Sequence, residues 1–211
     1  MHKTYKSLFS LDPNVTFLNH GSFGACPKVV FETLIKFQKK LEFEPVKFLA
    51  NDIYHYLKLS REALSKYINC DCDDIAFFPN PSTALNTLIR SLDLKCGDEV
   101  LTTNHEYGAL DRTWRFISKK RSSKYVKIDI DIPYTDKQKF IDYFKKGINK
   151  NTKIIFLSHI TSATALIFPV KEIIELAKKN NILTIIDGAH VPAHIDLDIR
   201  KLNPDFYCGA C

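Results

Sequence analysis

The sequence predicts an α/β fold in which a mostly parallel sheet is flanked by helices. Two observations support this prediction: short apolar runs of strand length recur along the chain, and segments with helical spacing lie between them. The chain has 211 residues, which is enough to bury a core, and its 45% hydrophobic and 26% charged residues are typical of a globular protein.

The N-terminal part of the chain is predicted to be helical. Residues 27–44 have the apolar spacing of an amphipathic helix, and residues 46–69 continue as a second helical stretch after Pro45, which interrupts the first. We therefore predict two regions, an N-terminal arm and helix over residues 1–45 and an α/β domain over residues 46–211.

Six apolar runs are predicted to be strands, and four segments between them are predicted to be helices. The strands are expected at residues 75–78, 99–102, 125–130, 154–157, 183–186 and 206–208. The helices are expected at residues 82–92, 108–119, 135–147 and 170–180. Because open parallel sheets bind ligands at the carboxyl ends of their strands, the polar residues after each strand indicate where a site should lie.

Charge and hydropathy argue against several classes of partner. The net charge of +6 is modest, and the lysines form short runs that we interpret as solvated helix faces and ends rather than a nucleic-acid track. The N-terminus lacks the apolar core of a signal peptide, and no stretch reaches membrane-spanning length. We therefore expect a cytoplasmic protein with reduced thiols that binds neither nucleic acid nor membranes.

Two cysteine spacings are similar to metal or redox motifs. Cys208 and Cys211 form a C-x-x-C, and Cys70 and Cys72 form a C-x-C. A zinc site would require the two pairs to meet, and a redox site would require the C-x-x-C at the start of a helix. We expect buried or incidental cysteines and no metal site.

Polar residues next to two predicted helices are candidates for ligand binding. Ser82 and Thr83 lie where a helix begins, and the free N–H groups of such an end bind phosphate, although simple N-capping explains the same residues. Tyr107 follows a strand, and its ring could stack on a flat heteroaromatic ligand or pack half-buried with a hydrogen-bonded hydroxyl. His105 could stack in the same way or lie in the core.

Asp187 is the most informative polar residue of the sequence. It closes the apolar run LTII, where a carboxylate in a low-dielectric environment needs a partner. A protonated ring nitrogen of a cofactor would be such a partner, and so would a metal ion or a helix end. His190 follows three residues later on the same side, and it could donate to a phenolate oxygen or ligate a metal.

Five segments together resemble the pyridoxal-phosphate enzymes of aminotransferase class V, above all the isopenicillin N epimerase-like branch and more distantly the cysteine desulfurases. They are NPSTALN (80–86), HEYGA (105–109), SHITSATALIFPV (158–170), IIDGAHVPAHIDLDI (185–199) and PDFYCGAC (204–211). The resemblance extends from about Asn19 to the last residue. It implies the large domain of a fold-type I enzyme with pyridoxal 5'-phosphate as cofactor.

The resemblance also implies a role for each candidate residue. Ser82 and the backbone around Thr83 match the phosphate cradle, and Tyr107 matches an aromatic ring stacked on the cofactor. Asp187 is similar to the aspartate that pairs with the pyridine nitrogen and keeps it protonated. His190 matches the residue beside the phenolic oxygen.

The resemblance also implies that one further residue and one further segment lie near this site. Ser162 stands where desulfurases usually carry an asparagine near the phenolic oxygen. FLNHGSFG (17–24) resembles a segment that reaches the rim of the active site in the family.

The same resemblance implies that no catalytic residue lies within the chain. The Schiff-base lysine is expected two positions beyond Cys211. The C-terminal small domain, which supplies the arginine for the substrate carboxylate in the family, is expected to be absent. We therefore expect the chain to be an inactive N-terminal fragment of a homodimeric enzyme.

The implied function is that of a pyridoxal-phosphate enzyme, epimerase-like or aminotransferase-like and hence an isomerase or a transferase, acting on an amino acid or an amino-group substrate. Cysteine desulfurase-like sulfur transfer is one alternative. A second is a metal-dependent hydrolase that uses His105, His159, Asp187 and His190. A third is a binding module without catalytic activity.

Overall fold

The computed structural model describes residues 5–210, and the chain divides into two units, residues 1–64 and residues 65–211. The domain boundary near residue 45 is predicted from the helical spacing of the sequence and from Pro45, and it stays a prediction. Cys211, and with it the C-x-x-C spacing, lies outside the described residues. No helix in the described part of the chain is long and apolar enough to cross a membrane.

The first unit is helical. It contains a 3-10 turn at Tyr5–Leu8, α1 at Lys28–Phe43, α2 at Pro45–Lys47, a π-helical turn at Phe48–Asp52 and most of α3 at Ile53–Ile68. Pro45 is the first residue of α2, a position whose missing N–H leaves no intrahelical bond unmade. The unit is packed by Phe48, which is buried, and by Phe37 and Tyr56, whose ring centroids lie 4.9 Å apart.

The second unit contains a five-stranded parallel sheet with helices on both faces, which confirms the predicted fold class. The strands are β1 (Glu99–Thr103), β2 (Lys124–Ile128), β3 (Thr152–Ser158), β4 (Leu183–Gly188) and β5 (Phe206–Gly209). The helices are α4 (Pro81–Ser91), α5 (Gly108–Arg121), α6 (Lys137–Gly147), α7 (Val170–Lys179) and α8 (Ile199–Leu202).

Each face of the sheet is covered by a separate apolar core. On one face, Phe156 and Ile185 belong to a core that includes residues of α4 and α5, with Trp114 fully buried. On the other face, Leu157 and Ile186 belong to a core that includes residues of α6 and α7. Because successive residues of a strand point to opposite faces, this division also fixes the faces on which the last residues of β3 and β4 lie.

The strand order is β2-β1-β3-β4-β5, so the chain changes direction along the sheet at β1. From β1 it moves to β2 on one side, then returns to β3 on the other side, and it continues through β4 to β5. Connections that leave neighbouring strands in opposite directions open a crevice between the carboxyl ends of β1 and β3. Open parallel sheets bind their ligands at such a position.

The first predicted strand is wrong. Residues 75–78 pair with no strand in the described part of the chain, whereas the other five predicted strands and the four predicted helices of the α/β region are present. Phe77 and Phe78 are 47% and 44% exposed, so the apolar character that suggested a buried strand is not satisfied by packing in this unit. Helix α8 is not predicted from the sequence, because its four residues are too few to show a helical period.

Gly188, the last residue of β4, is required by a neighbouring side chain rather than by its own backbone conformation. A Cβ atom added here would lie 2.2 Å from the hydroxyl oxygen of Tyr207 and 2.3 Å from two carbons of its ring. Tyr207 lies on β5, and its ring crosses directly over the Gly188 backbone. No residue larger than glycine fits beneath this ring.

We predict that Gly188→Ala lowers the free energy of unfolding by about 3 kcal/mol, because the tyrosine ring must move or the two strands must separate. Urea unfolding of the chain measures this change. Gly108→Ala is the control, since its added carbon would meet one side-chain atom of Arg112 at an ordinary 3.7 Å.

A second substitution tests the cause of this loss. Combined with Tyr207→Ala, Gly188→Ala should cost less than about 0.5 kcal/mol, because the clashing ring is gone. Tyr207→Phe should give no such relief, since the ring carbons are as close as the hydroxyl. A Gly188→Ala chain as stable as the wild type would contradict the steric explanation.

Candidate functional site

The start of α4 combines an N-cap with an open polar groove. The side chain of Asn80 accepts a hydrogen bond of 2.8 Å from the amide of Thr83, so this amide is engaged by the cap. The Ser82 hydroxyl belongs to a partly buried residue at the same end, while Thr83 is exposed. A groove of about 360 Å³ begins here and runs along α4 past Asn86 to Arg90. Because Asn80 already occupies the Thr83 amide, Ser82 is the residue whose hydroxyl can donate to an anion at this helix end.

Asp187 is a buried carboxylate at the carboxyl edge of the sheet. It is 5% exposed, and its one hydrogen bond to the described residues comes from the amide of Ala189 at 3.1 Å. Burial raises the pKa of Asp187, an effect that the Ala189 amide and the charge of His190 partly offset. Asp187 therefore lies where a cationic partner would stabilise its ionised form.

Strand pairing brings Asp187 close to the start of α4. Asp187 pairs in register with Cys208 of β5, and the Cys208 thiol donates to the carbonyl oxygen of Pro81 at 3.7 Å. Asp187 follows Ile185 by two residues, so it lies on the same face of the sheet as α4 and α5. One strand therefore separates this carboxylate from the helix end at Ser82.

Tyr107 caps the start of α5 on the same face. Its carbonyl oxygen accepts from the amides of Leu110 and Asp111, while its side chain is 45% exposed. Its hydroxyl makes no hydrogen bond to the described residues, and about half of the side chain is buried. The ring is accessible at the edge of the sheet where Asp187 lies.

Glu106 is a site residue that the sequence analysis missed. Its carboxylate accepts from the backbone amide and the hydroxyl of Ser158 at 2.9 and 2.6 Å, and from the hydroxyl of Thr103 at 2.6 Å. It therefore joins the ends of β1 and β3 across the crevice where the strand order changes. Burial of the carboxyl group raises the pKa of Glu106 to about 7, and the charge of Asp187 acts in the same direction. The sequence signal that could have identified Glu106 is a charged residue in the loop that follows β1, next to this crevice.

The remaining histidines of the carboxyl edge lie on the opposite face of the sheet. His159 hydrogen bonds through Nδ1 to the Tyr207 hydroxyl at 3.0 Å, and burial lowers the pKa of His159 to about 4. His105 hydrogen bonds through Nε2 to the carbonyl oxygen of Ile130 at 2.8 Å and packs edge-on against Phe168, which makes it a core histidine. Both rings contact residues of the core that contains α6 and α7.

The four groups of the alternative metal site are therefore not brought together. Among the described residues, the one group of three or more potential ligands with atoms within 4.8 Å of one another is Asp71, Cys72 and Asp73. This group contains none of the four residues proposed for a hydrolase.

Ser162 and His190 lie in the connections that follow β3 and β4. Ser162 is exposed on a turn held by the Thr161 hydroxyl, which accepts from the amide of Leu166 at 2.9 Å. His190 is partly buried, and its charge acts on Asp187. In the described chain, Ser162 makes no hydrogen bond to the other candidate residues.

Comparisons with known proteins agree with this architecture. The sequence matches the model of the family Aminotransferase class-V over residues 19–210. It is 32% identical over 200 residues to isopenicillin N epimerase of Streptomyces clavuligerus, which covers 95% of this chain and 50% of that protein. It is 26% identical over 211 residues to the L-cysteine desulfhydrase-like protein lolT2 of Epichloe uncinata, which covers 96% of this chain and 45% of that protein. The chain thus spans about half the length of these relatives.

The fold is shared with solved structures. A variant of C-DES with glycine covalently linked to its pyridoxal-phosphate cofactor superposes with a TM-score of 0.87 at 23% identity, covering 97% of this chain and 55% of that chain. The cystine C-S lyase C-DES in complex with cysteine persulfide gives a TM-score of 0.85 at 24% identity, covering 98% and 55%.

The fold is that of the α/β domain shared with these solved structures. The chain belongs to the aminotransferase class-V family, as the resemblance of its five segments implied. Family membership confirms pyridoxal phosphate as the cofactor. The residues present fit this group, because they offer an anion-accepting helix end at Ser82 and a buried carboxylate at Asp187 that needs a cationic partner.

The raised pKa of Glu106 predicts a characteristic pH dependence of stability. In the unfolded chain this carboxyl group loses its proton near its ordinary pKa of 4.5, whereas the folded chain keeps the proton until about pH 7. The stabilisation is therefore complete below about pH 4.5 and is lost as the pH rises to about 7. Its full size is on the order of 3 kcal/mol, at about 1.4 kcal/mol per pKa unit.

The measurement is the difference in unfolding free energy between the wild type and Glu106→Gln, whose amide stays neutral. The two curves should meet at about pH 4.5, and the wild type should fall below the variant towards pH 7. The difference between the two proteins removes the contribution of His159, which is the same in both. The pKa of His159 is lowered, so its contribution to stability is lost as the pH falls from 6.5 to about 4. Curves that stay parallel would show that the Glu106 carboxyl group titrates normally.

Proposed function

We propose that the whole protein is a pyridoxal-phosphate-dependent enzyme that acts at the Cα of an amino acid or an amino-group substrate. The observation that supports this proposal most directly is the buried carboxylate of Asp187 at the carboxyl edge, one strand from the open end of α4. A buried carboxylate in this position would be stabilised by a protonated ring nitrogen, and it would in turn keep that nitrogen protonated.

Each side chain of the site would contribute a separate binding function. Ser82, with the helix end around Thr83, would bind the phosphate, and Asp187 would hold the proton on the ring nitrogen. Tyr107 would cover one face of the ring and exclude water from it. His190 would donate to the phenolic oxygen. When bound, the cofactor supplies a sink for the electrons of the bond that breaks at the substrate Cα.

Ser162 would lie near the phenolic oxygen, although its exposed position requires the turn after β3 to approach the ring. The Schiff-base lysine is expected just beyond Cys211, and its amine would carry the covalent link to the cofactor. We further propose a homodimer in the cytoplasm that binds neither nucleic acid nor membranes. These proposals rest on the resemblance and on the composition of the chain.

We propose an epimerase-like or aminotransferase-like reaction, and hence an isomerase or a transferase. The epimerase relative, at 32% identity, supports the first of these. Cleavage of a C–S bond is a second candidate, which the desulfhydrase-like relative supports at 26% identity. The residues of this chain bind the cofactor in either case, so they do not choose between the reactions.

A single set of reactions separates these candidates. The whole protein, loaded with pyridoxal phosphate, is incubated in D₂O with amino acids that include cysteine, with and without an added keto acid. Loss of the Cα proton signal in NMR with inversion of configuration supports an epimerase, and transfer of the amino group to the keto acid supports an aminotransferase. Release of sulfide from cysteine supports the second candidate. No change in any substrate would contradict the proposed function.

We predict that Asp187→Asn lowers the turnover of the whole protein by on the order of a hundredfold, because a neutral amide does not keep the ring nitrogen protonated. Asp205→Asn is the matched control. The Asp205 carboxylate binds the amide and the hydroxyl of Thr184 at 2.8 and 2.7 Å, at the opposite end of the same strand. It should lower stability and leave the turnover of the folded protein close to that of the wild type.

Turnover and the absorbance of the bound cofactor are measured together in both variants. An Asp187→Asn protein that retains the cofactor and turns over at the wild-type rate would exclude the proposed role. Equal losses in Asp187→Asn and Asp205→Asn would show a general effect on folding instead.

A further inference from the structure

Glu106 lies at the centre of a hydrogen-bonded connection that crosses three strands. Its carboxylate binds the amide and hydroxyl of Ser158 at the end of β3. Ser158 pairs in register with Asp187 on β4, and the amide of His159 donates to the Asp187 carbonyl oxygen at 2.8 Å. One strand therefore separates the two carboxyl groups, and both belong to the same edge of the sheet.

The connection also includes the turn that carries Tyr107. The Thr103 hydroxyl donates to the second oxygen of Glu106 and accepts from the amide of His105 at 3.2 Å. Glu106 directly precedes Tyr107, the first residue before α5. The position of the aromatic ring relative to Asp187 therefore depends on how Glu106 is held.

The hydrogen-bond partners of Glu106 suit a carboxyl group with or without its proton. Its side-chain partners are hydroxyl groups, those of Ser158 and Thr103, and a hydroxyl group can donate to a carboxylate or accept from a carboxylic acid. Neither partner carries a charge that would hold Glu106 ionised. The neutral form can therefore be kept without breaking the connection between β1 and β3.

We propose that Glu106 is a positioning residue that forms a coupled pair with Asp187, in which Asp187 ionises first and offers its negative charge to the cofactor, while Glu106 keeps its proton to higher pH. This inference rests on the proposed function only in its reference to the cofactor. The coupling itself is a property of the protein alone.

The surrounding charges agree with this division of roles. The charge of Asp187 raises the pKa of Glu106, which requires Asp187 to ionise first. Burial raises the pKa of Asp187, and the charge of His190 partly offsets this effect. Both charges favour the state in which Asp187 is ionised and Glu106 is neutral.

The groups on the other side of Glu106 do not reverse this order. Tyr125 of β2 is the titratable group there, and burial raises its pKa, so it stays neutral while the carboxyl groups titrate. Asp111 of α5 faces Tyr125, and its charge is offset by ion pairs with Lys127 and Arg115. Burial is the largest influence on the pKa of Glu106, and Asp187 is the neighbouring charge that adds to it.

The test follows the carboxyl carbons of the chain by ¹³C NMR as the pH is changed, without cofactor. The sequence has 24 Asp and Glu residues, so the two signals are identified by their loss in Glu106→Gln and Asp187→Asn. Asp187→Asn should lower the titration midpoint of Glu106 by about one pH unit, because the neighbouring negative charge is gone. Glu106→Gln should leave the midpoint of Asp187 nearly unchanged, because Glu106 is neutral while Asp187 titrates.

Glu99→Gln is the matched control, since it removes a buried carboxyl group at the opposite end of β1. It should leave the midpoint of Glu106 where it is. An unchanged Glu106 midpoint in Asp187→Asn would overturn the inference. So would a large fall of the Asp187 midpoint in Glu106→Gln, which would show that Glu106 ionises first. This second variant can still overturn the inference if Asp187→Asn does not fold.

Added pyridoxal phosphate separates this inference from the proposed function. A protonated ring nitrogen against Asp187 would offset its charge and lower the Glu106 midpoint, as Asp187→Asn does. If the variant lowers the midpoint and cofactor that is bound, as its absorbance on the protein shows, does not, the coupled pair is supported and the proposed role of Asp187 is contradicted. If both lower it, the inference and the proposed role are supported together.

Discussion

The register between β3 and β4 determines where the polar groups of the site lie. Ser158 stands opposite Asp187, and both residues follow apolar residues that belong to the core beneath α4 and α5. A shift of one residue would turn Asp187 towards the other core and would separate Ser158 from Glu106. The large apolar side chains on both faces of these strands oppose such a shift, so the packing of the sheet also positions its chemistry.

Much of the fold could be predicted from the sequence, because parallel strands buried on both faces appear as apolar runs between helical segments. The exception, residues 75–78, has the composition of a strand, but a strand also needs a partner, and composition does not reveal one. The edge of the sheet at which the candidate residues meet follows from chain direction alone. Chain direction does not determine the face of the sheet on which each side chain lies. For this reason the sequence alone does not separate His105 and His159 from Asp187 as site candidates.

Glu106 shows a different limit of sequence reasoning. Its place in the structure depends on a hydrogen bond to Ser158, which is 52 residues away along the chain. A glutamate after a strand is usually a solvated residue, and only the strand order places this one in the crevice between β1 and β3. Burial of the two carboxyl groups costs free energy in the apolar domain around them.

The crossing of Tyr207 over Gly188 constrains how this sequence can change over time. Because the ring occupies the space of any Cβ at position 188, an alanine can appear there only in a chain that has already lost the aromatic residue at position 207. The reverse order passes through a destabilised intermediate. The two positions therefore form an ordered pair in which one substitution must precede the other, and a lineage that keeps the tyrosine also keeps the glycine that ends β4.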